Sequence, residues 1–93
     1  MAYVFEWDPV KGAENVADHG VTFDEASTVF GDPLALLMPD PDHSEDEDRY
    51  LLLGMSTQQR LLVVAFTDRP PGTRLISARR GTRRERRQYE AKG

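Results

Sequence analysis

Six arginines fall within the nine residues from Arg79 to Arg87, inside the run Ile76-Ser77-Ala78-Arg79-Arg80-Gly81-Thr82-Arg83-Arg84-Glu85-Arg86-Arg87-Gln88-Tyr89-Glu90. A guanidinium is a planar fork that meets phosphate with two parallel hydrogen bonds. Such density points to a polyphosphate partner, and RNA is the first candidate. On a helix, Glu85 and Tyr89 are four apart and Arg86 and Tyr89 three apart, so the three project from one side. Arg83 and Arg84 would stand in the first turn, where the helix dipole disfavours each cation by about 0.3–1 kcal/mol. Stability alone would place acids there. An anion bound by the helix N-terminus and these guanidiniums together accounts for the choice. The competing reading is that the arginines pair with the acidic segment 40–48.

The net charge of −4 conceals a polarity. Residues 1–50 hold thirteen acids and two bases, and residues 51–93 three acids and ten bases, so the halves carry −11 and +7. An acidic chain can therefore still offer a basic face to nucleic acid. Ninety-three residues, 39% apolar and 30% charged, suit one domain over 1–93 with a modest core. No apolar run approaches the roughly 18–20 residues that span a membrane, and Glu6 and Asp8 interrupt any signal-peptide pattern. The absence of cysteine fits a reducing cytoplasm and removes thiolate metal sites.

The arginine run needs elements to hold it, and the sequence marks them. Tyr3 to Trp7 alternates as a short strand. Asp8 is an N-cap with Pro9 at the first helical position, Val10, Ala13 and Ala17 recur as an apolar stripe with Val16 beside them, and Gly20 stops the helix. Thr22-Phe23-Asp24-Glu25 forms a capping box for a second helix, with Phe23, Ala26, Val29 and Phe30 as its stripe and Gly31 as its end. The two helices should form a hairpin whose apolar faces cover a sheet.

Strands are expected at 34–38, 49–55, 61–67 and 73–78. The second and third are joined by Ser56-Thr57-Gln58-Gln59, and the last two by a turn at Pro70-Pro71-Gly72. On the last strand, alternation puts Leu75 and Ser77 on the face of Arg79, with Arg74, Ile76 and Ala78 opposite. Thr82-Arg83-Arg84-Glu85 is a second capping box, opening a helix to about Ala91. The predicted architecture is an α+β domain: a small antiparallel sheet with helices on one face, an N-terminal helix hairpin and a C-terminal helix.

Other chemistry is sparse. Asp40, Asp42 and Ser44 match the opening of a calcium loop. Glu45 stands where that loop needs glycine and Leu51 where it needs glutamate, so no metal is expected. No glycine-rich phosphate loop or nucleophile elbow occurs, and no cofactor is expected. His19, at a helix C-terminus, reads either as a phosphate contact and general acid or as a cap of the last carbonyls. His43 reads as solvated. Trp7, Phe5, Phe23 and Phe30 have the spacing of core residues.

These residues make the chain resemble the BrnT family of toxins from bacterial type II toxin–antitoxin systems. The resemblance rests on Phe5-Glu6-Trp7-Asp8-Pro9-Val10-Lys11, Asn15, His19-Gly20-Val21-Thr22-Phe23-Asp24-Glu25-Ala26, Val29-Phe30 and Asp32-Pro33. It continues through Arg49, Gly54, Leu61-Leu62-Val63-Val64, Ile76-Ser77-Ala78-Arg79, Glu85-Arg86 and Tyr89-Glu90. It departs from the family at Asp18, where lysine is common and could touch phosphate, and at Gly81, where alanine is common and glycine should loosen the strand-to-helix junction. The resemblance implies a RelE-like fold and a cytoplasmic RNA-cleaving toxin that inhibits translation. It also implies a ribbon-helix-helix antitoxin, with a heterotetramer built through the antitoxin dimer.

Together these point to a metal-independent endoribonuclease, in which a 2′-OH attacks the adjacent phosphate. Arg79 and Arg86 would hold the transition-state phosphate, with Glu85 a candidate base, His19 a candidate acid and Tyr89 orienting the scissile group or stacking on a base. Lys11, Arg49, Arg80, Arg83 and Arg84 would hold flanking phosphates, and Arg87 would serve solubility or an antitoxin contact. The alternative is a non-catalytic arginine-rich module that binds nucleic acid or an acidic protein. A DNA repressor is a weaker alternative, because the helix over 22–30 is acidic.

Overall fold

The computed structural model describes residues 4–40 and 48–92. Along the chain run β1 (Phe5–Glu6), α1 (Pro9–His19), α2 (Phe23–Thr28), a 3₁₀ turn (Val29–Gly31), β2 (Leu36–Pro39), β3 (Arg49–Met55), β4 (Leu61–Arg69), β5 (Gly72–Arg80) and α3 (Arg83–Lys92). The five strands form one sheet in the order β1-β5-β4-β3-β2. All neighbours are antiparallel except β1, which lies parallel to β5 and pairs only Phe5 with Thr73 and Glu6 with Arg74. Expected residues 41–47, including Asp42, His43 and Ser44, lie outside the described residues.

Local chemistry sets the helix ends. The Asp8 carboxylate accepts the Val10 N–H at 2.8 Å, Pro9 opens α1, and Gly20 closes it at φ 68°. The Thr22 hydroxyl accepts the Glu25 N–H at 3.0 Å and starts α2. The hydroxyls of Ser27 and Thr28 then donate back to the carbonyls of Asp24 and Glu25 at 2.7 and 2.6 Å. Such back-bonding competes with the helix ladder, and the chain tightens into the 3₁₀ turn that ends at Gly31.

Glu25 does not complete the capping box expected of it. Its carboxylate turns inward, accepting from Ser56 Oγ at 2.7 Å and Arg60 Nε at 2.9 Å, and pairs with Arg60 Nη2. Glu25 is only 3% exposed, and a buried carboxylate gains far more from a guanidinium than from a backbone cap. The Arg60 hydrogen bond leads the effects that hold its carboxyl below the usual range, against the opposing effect of burial.

The sheet is covered on both faces. Val21, Phe23, Ala26 and Val29 pack with Leu52, Leu62, Val64, Leu75 and Ala78 on one side. On the other, Tyr89 of α3 packs with Leu53, Leu61 and Val63. The expectation of helices on a single face therefore fails for α3. The unbroken run Leu61-Leu62-Val63-Val64-Ala65, every residue of it buried, is the pattern of a strand covered on both sides.

Two further expectations are corrected. The α1 stripe does not cover the sheet: Val10 and Val16 are 65% and 45% exposed, and Ala13 and Ala17 are exposed. Helix α1 instead presents Gly12, beside Trp7 and Phe23, and buried Asn15. The reason is the short β1, which leaves the edge of β5 away from β4 without a strand neighbour beyond Arg74. Asn15 fills that gap with its amide, donating to Ala78 O (2.8 Å) and Val21 O (2.8 Å) and accepting the Ala78 N–H (3.0 Å). A polar side chain here completes a sheet edge, as buried backbone requires.

The second correction concerns alternation in β5. Ser77 pairs with Ala65 and Leu75 with the next residue, Phe66, so Ile76 is an extra residue in the ladder. The bulge puts Leu75 with Ala78 in the core under α2, on the face opposite Arg79.

A tight spot at the end of β3 makes a test. A Cβ on Gly54 would lie 2.9 Å from both Val29 Cγ1 and Ala35 Cβ and 3.1 Å from Asp32 Oδ2. Gly54→Ala should destabilise the fold by about 1–3 kcal/mol, read as a lower urea midpoint at unchanged slope.

Candidate functional site

The junction of β5 and α3 carries the arginine run. The Gly81 N–H donates to Leu61 O at 2.9 Å, and a Cβ at Gly81 would come 3.0 Å from Leu61 Cδ2. Glycine here allows a close approach to Leu61 that this hydrogen bond ties. The second capping box forms in both directions: Thr82 Oγ1 accepts the Glu85 N–H at 3.1 Å, and Glu85 Oε1 accepts the Thr82 N–H at 2.8 Å.

Arg79 pairs across the sheet with Val63 and so lies on the α3 face. Its Nη1 and Nη2 donate to Oε1 and Oε2 of Glu85, each at 2.9 Å, and Nη1 also reaches Arg80 O at 3.2 Å. This fork, closed on a carboxylate that also caps α3, ties strand end to helix start. A guanidinium has five N–H donors, so Arg79, with its side chain 41% exposed, keeps donors for a ligand. The Arg79 hydrogen bond holds the Glu85 carboxyl down at about 2 against the opposing effect of burial, with help from the Thr82 amide. Glu85 in turn raises Arg79.

Tyr89 is turned inward. It is 9% exposed, and its hydroxyl donates to Asp32 Oδ2 at 2.6 Å. That hydrogen bond, aided by burial, pushes the phenol up to about 12. Asp32 also accepts the Leu34 N–H at 2.9 Å and the Met55 N–H at 2.8 Å. Burial pushes its carboxyl up, but these bonds prevail and hold it below the usual range. The Tyr89 ring is thus occupied as an anchor of α3, and the expected side shared by Glu85, Arg86 and Tyr89 divides. Arg86 keeps to the surface, its side chain 48% exposed and 3.9 Å from Glu90.

Arg80, Arg83, Arg84 and Arg87 are exposed around the same junction. His19 stands elsewhere, in a hollow of about 150 Å³ with Lys11, Glu14, Asn15, Asp18, Ile76 and Ser77. Lys11 also reaches a larger hollow of about 330 Å³, lined by Asp8, Arg49, Arg69, Arg74, Leu75 and Ile76. Structure therefore gathers Arg79 with Glu85 and gathers Lys11 with Arg49. No contact joins His19 to either Arg79 or Arg86 among the described residues. Sequence reasoning gave no chemical role to Asp32, Asn15, Arg60, Arg69 or Arg74. Asp32 alone carried a local signal, since an aspartate before Pro33 often accepts the N–H two residues on. Among the described residues no three His, Asp or Glu side chains converge as a metal would require, and no helix is long and apolar enough to cross a membrane.

The chain is a small α+β protein with a cation-rich strand-to-helix junction. Residues 7–85 match the model of the family described as ribonuclease toxin, BrnT, of type II toxin–antitoxin system, and the chain belongs to that family. Its fold is similar to the crystal structure of the Brucella abortus ribonuclease toxin BrnT, with a TM-score of 0.68 at 21% identity over 88% of this chain and 100% of that one. No curated protein matches the sequence.

Two titrations report on the junction. Glu85 falls from 4.5 to about 2 on folding, so its contribution is complete above pH 4.5 and is lost as pH drops toward 2. Tyr89 rises from 10.0 to about 12, so its contribution is complete below pH 10 and is lost as pH climbs through 12. Glu85→Gln should flatten the acid limb of stability against pH. Tyr89→Phe should cost about 1–2 kcal/mol near neutrality and flatten the alkaline limb, both followed by urea unfolding.

Proposed function

We propose that this chain is a metal-independent endoribonuclease toxin acting by 2′-OH transesterification. The 2′-oxygen bonds to phosphorus, the bond to the 5′ oxygen breaks, and a 2′,3′-cyclic phosphate is left. The observation that carries the reading is the Arg79 guanidinium, held by both oxygens of Glu85 at 2.9 Å with donors left over. A cation fixed before the reaction stabilises the extra phosphate charge without reorganising. Arg86, exposed on α3, would assist, and Arg80, Arg83 and Arg84 would hold flanking phosphates.

Some of the expected roles change in this reading. A carboxylate near pH 2 accepts a hydroxyl proton poorly at neutrality, so Glu85 is the positioning residue for Arg79. Tyr89 is the anchor that seats α3. His19 lies in a hollow apart from Arg79 and is left out of the reaction at this phosphate; water at the open edge takes the 2′-OH proton and gives one to the leaving 5′ oxygen.

Cleavage of messenger RNA would inhibit translation in the cytoplasm. A ribbon-helix-helix antitoxin would neutralise the toxin, its dimer giving a heterotetramer. Growth arrest on expressing the chain without that antitoxin, and RNA products with 2′,3′-cyclic phosphate ends in the presence of EDTA, are expected. Arg79→Ala should abolish both while leaving the circular dichroism spectrum intact, and Arg79→Lys should restore little, since a point charge lacks the fork. Tight, salt-sensitive RNA binding with no products would instead mark a binding module.

A further inference from the structure

We propose that the outward face of α1 seats a helix of the antitoxin, one with large apolar side chains at three- and four-residue spacing and basic residues on its flank. The inference rests on the toxin–antitoxin reading and adds a surface on which the two proteins meet. Val10, Ala13 and Ala17 recur at the i, i+3, i+7 spacing of one helix face, with Val16 beside them, so the four side chains fall within about 120° of arc. That face is turned to solvent: Val10 and Val16 are 65% and 45% exposed, and Ala13 and Ala17 are exposed. The side that α1 gives to its own fold is a different one, where Gly12 lies beside Trp7 and Phe23 and Asn15 bonds the backbone of Ala78 and Val21. The helix is inverted, apolar outward and polar inward.

Stability does not account for this inversion. A β-branched side chain loses rotamer freedom in a helix, and burial is what ordinarily offsets that cost. Val10 and Val16 obtain little of it. Single exposed apolar residues are common, but a continuous stripe marks an interaction surface. Anchors at this spacing are how one helix face receives another. Ala13 and Ala17 keep the middle of the face shallow, so a partner helix can approach closely and lay larger side chains over it.

Charge and size select the partner. Going round the helix past Val10 come Glu14 and then Asp18, both exposed and neither with an ion-pair partner among the described residues. An acidic border favours lysine or arginine on the incoming helix. A second copy of this chain fits less well. A two-fold contact centred near Ala13, with the helices antiparallel, would set Glu14 beside its own copy. Helix α1 has 11 residues, a length of about 16 Å, and such a stripe offers only part of the roughly 800 Å² per partner of a stable interface. The antitoxin has further surface to engage. Helix α1 packs on the side of Trp7 and Phe23 whereas Arg79 lies on the α3 face, so this contact is separate from the candidate reaction.

The chain has no cysteine, so Ala13→Cys supplies a single thiol on the stripe. That thiol should react readily with a maleimide in the free protein and lose its reactivity when the cognate antitoxin is bound. Ala13→Glu/Ala17→Glu should weaken antitoxin binding roughly thirtyfold or more, while the circular dichroism spectrum and RNA cleavage in EDTA stay those of the wild type. Wild-type affinity for the antitoxin should fall with added salt, and fall less in Glu14→Gln/Asp18→Asn; equal salt dependence overturns the basic flank of the partner. A thiol labelled equally fast in the complex, or an unchanged affinity in the Glu variant, overturns the α1 surface and leaves the ribonuclease toxin reading standing. A dimer of the free chain in sedimentation equilibrium, broken by the Glu variant with antitoxin affinity kept, would show a contact between copies and also overturns the proposal. A wild type that neither binds an antitoxin nor cleaves RNA overturns both readings.

Discussion

Helix α3 is attached to the molecule by very little, and the Asp32 carboxylate is what makes the attachment specific. The helix reads Arg-Arg-Glu-Arg-Arg-Gln-Tyr-Glu-Ala-Lys, so Tyr89 is its one large apolar side chain. Ring burial against Leu53, Leu61 and Val63 is not directional. The hydroxyl is, and it ends on an oxygen of Asp32 that the Met55 N–H already orients. Gly54 leaves the space in which that oxygen sits. One carboxylate thereby joins the turn after α2, the end of β3 and the C-terminal helix.

The other end of α3 is tied by a different charge. Glu85 serves the helix as cap and Arg79 as counter-ion at the same time. The catalytic candidate and the helix start are therefore one structure, and the cations of the first turn are displayed wherever Glu85 holds them. A parallel arrangement at the far side of the sheet joins Glu25, Ser56 and Arg60, where the arginine also reaches the Gly20 carbonyl. In both places an acid that looks like a plain helix cap holds an arginine outside its helix, Arg79 at the end of β5 and Arg60 in the loop before β4. The second case spends the carboxylate wholly on tertiary structure. The first splits it between the helix cap and the end of the preceding strand.

The polarity of charge along the chain acquires a meaning from this. The acidic half supplies Asp32 and Glu25, each buried or half-buried and each binding residues from the other half. The basic half keeps most of its arginines at the surface. Glu25 and Asp32 face inward and most of the arginines outward, so a net negative protein can present a basic face. The bases also separate into two groups, one at the α3 junction and one in the hollow between α1 and the sheet.

By itself the sequence determined the element order, the helix ends, the second capping box and the arginine-rich junction. These depend on neighbours within about four residues, where proline geometry, glycine φ and side-chain caps act. It also carried the family resemblance, since motifs such as His-Gly-Val-Thr-Phe are read directly from the chain. Only the tertiary structure decided that Asn15 would complete a strand edge, that Ile76 would bulge and turn Leu75 away from Arg79, and that α3 would take the opposite face. It also decided that Arg69 and Arg74 would meet Lys11. Each of those outcomes is set by a partner distant in sequence, such as Asn15 and Ala78 at 63 residues apart. A periodic pattern cannot name such a partner, because it records only that a residue is to be buried, and not against what.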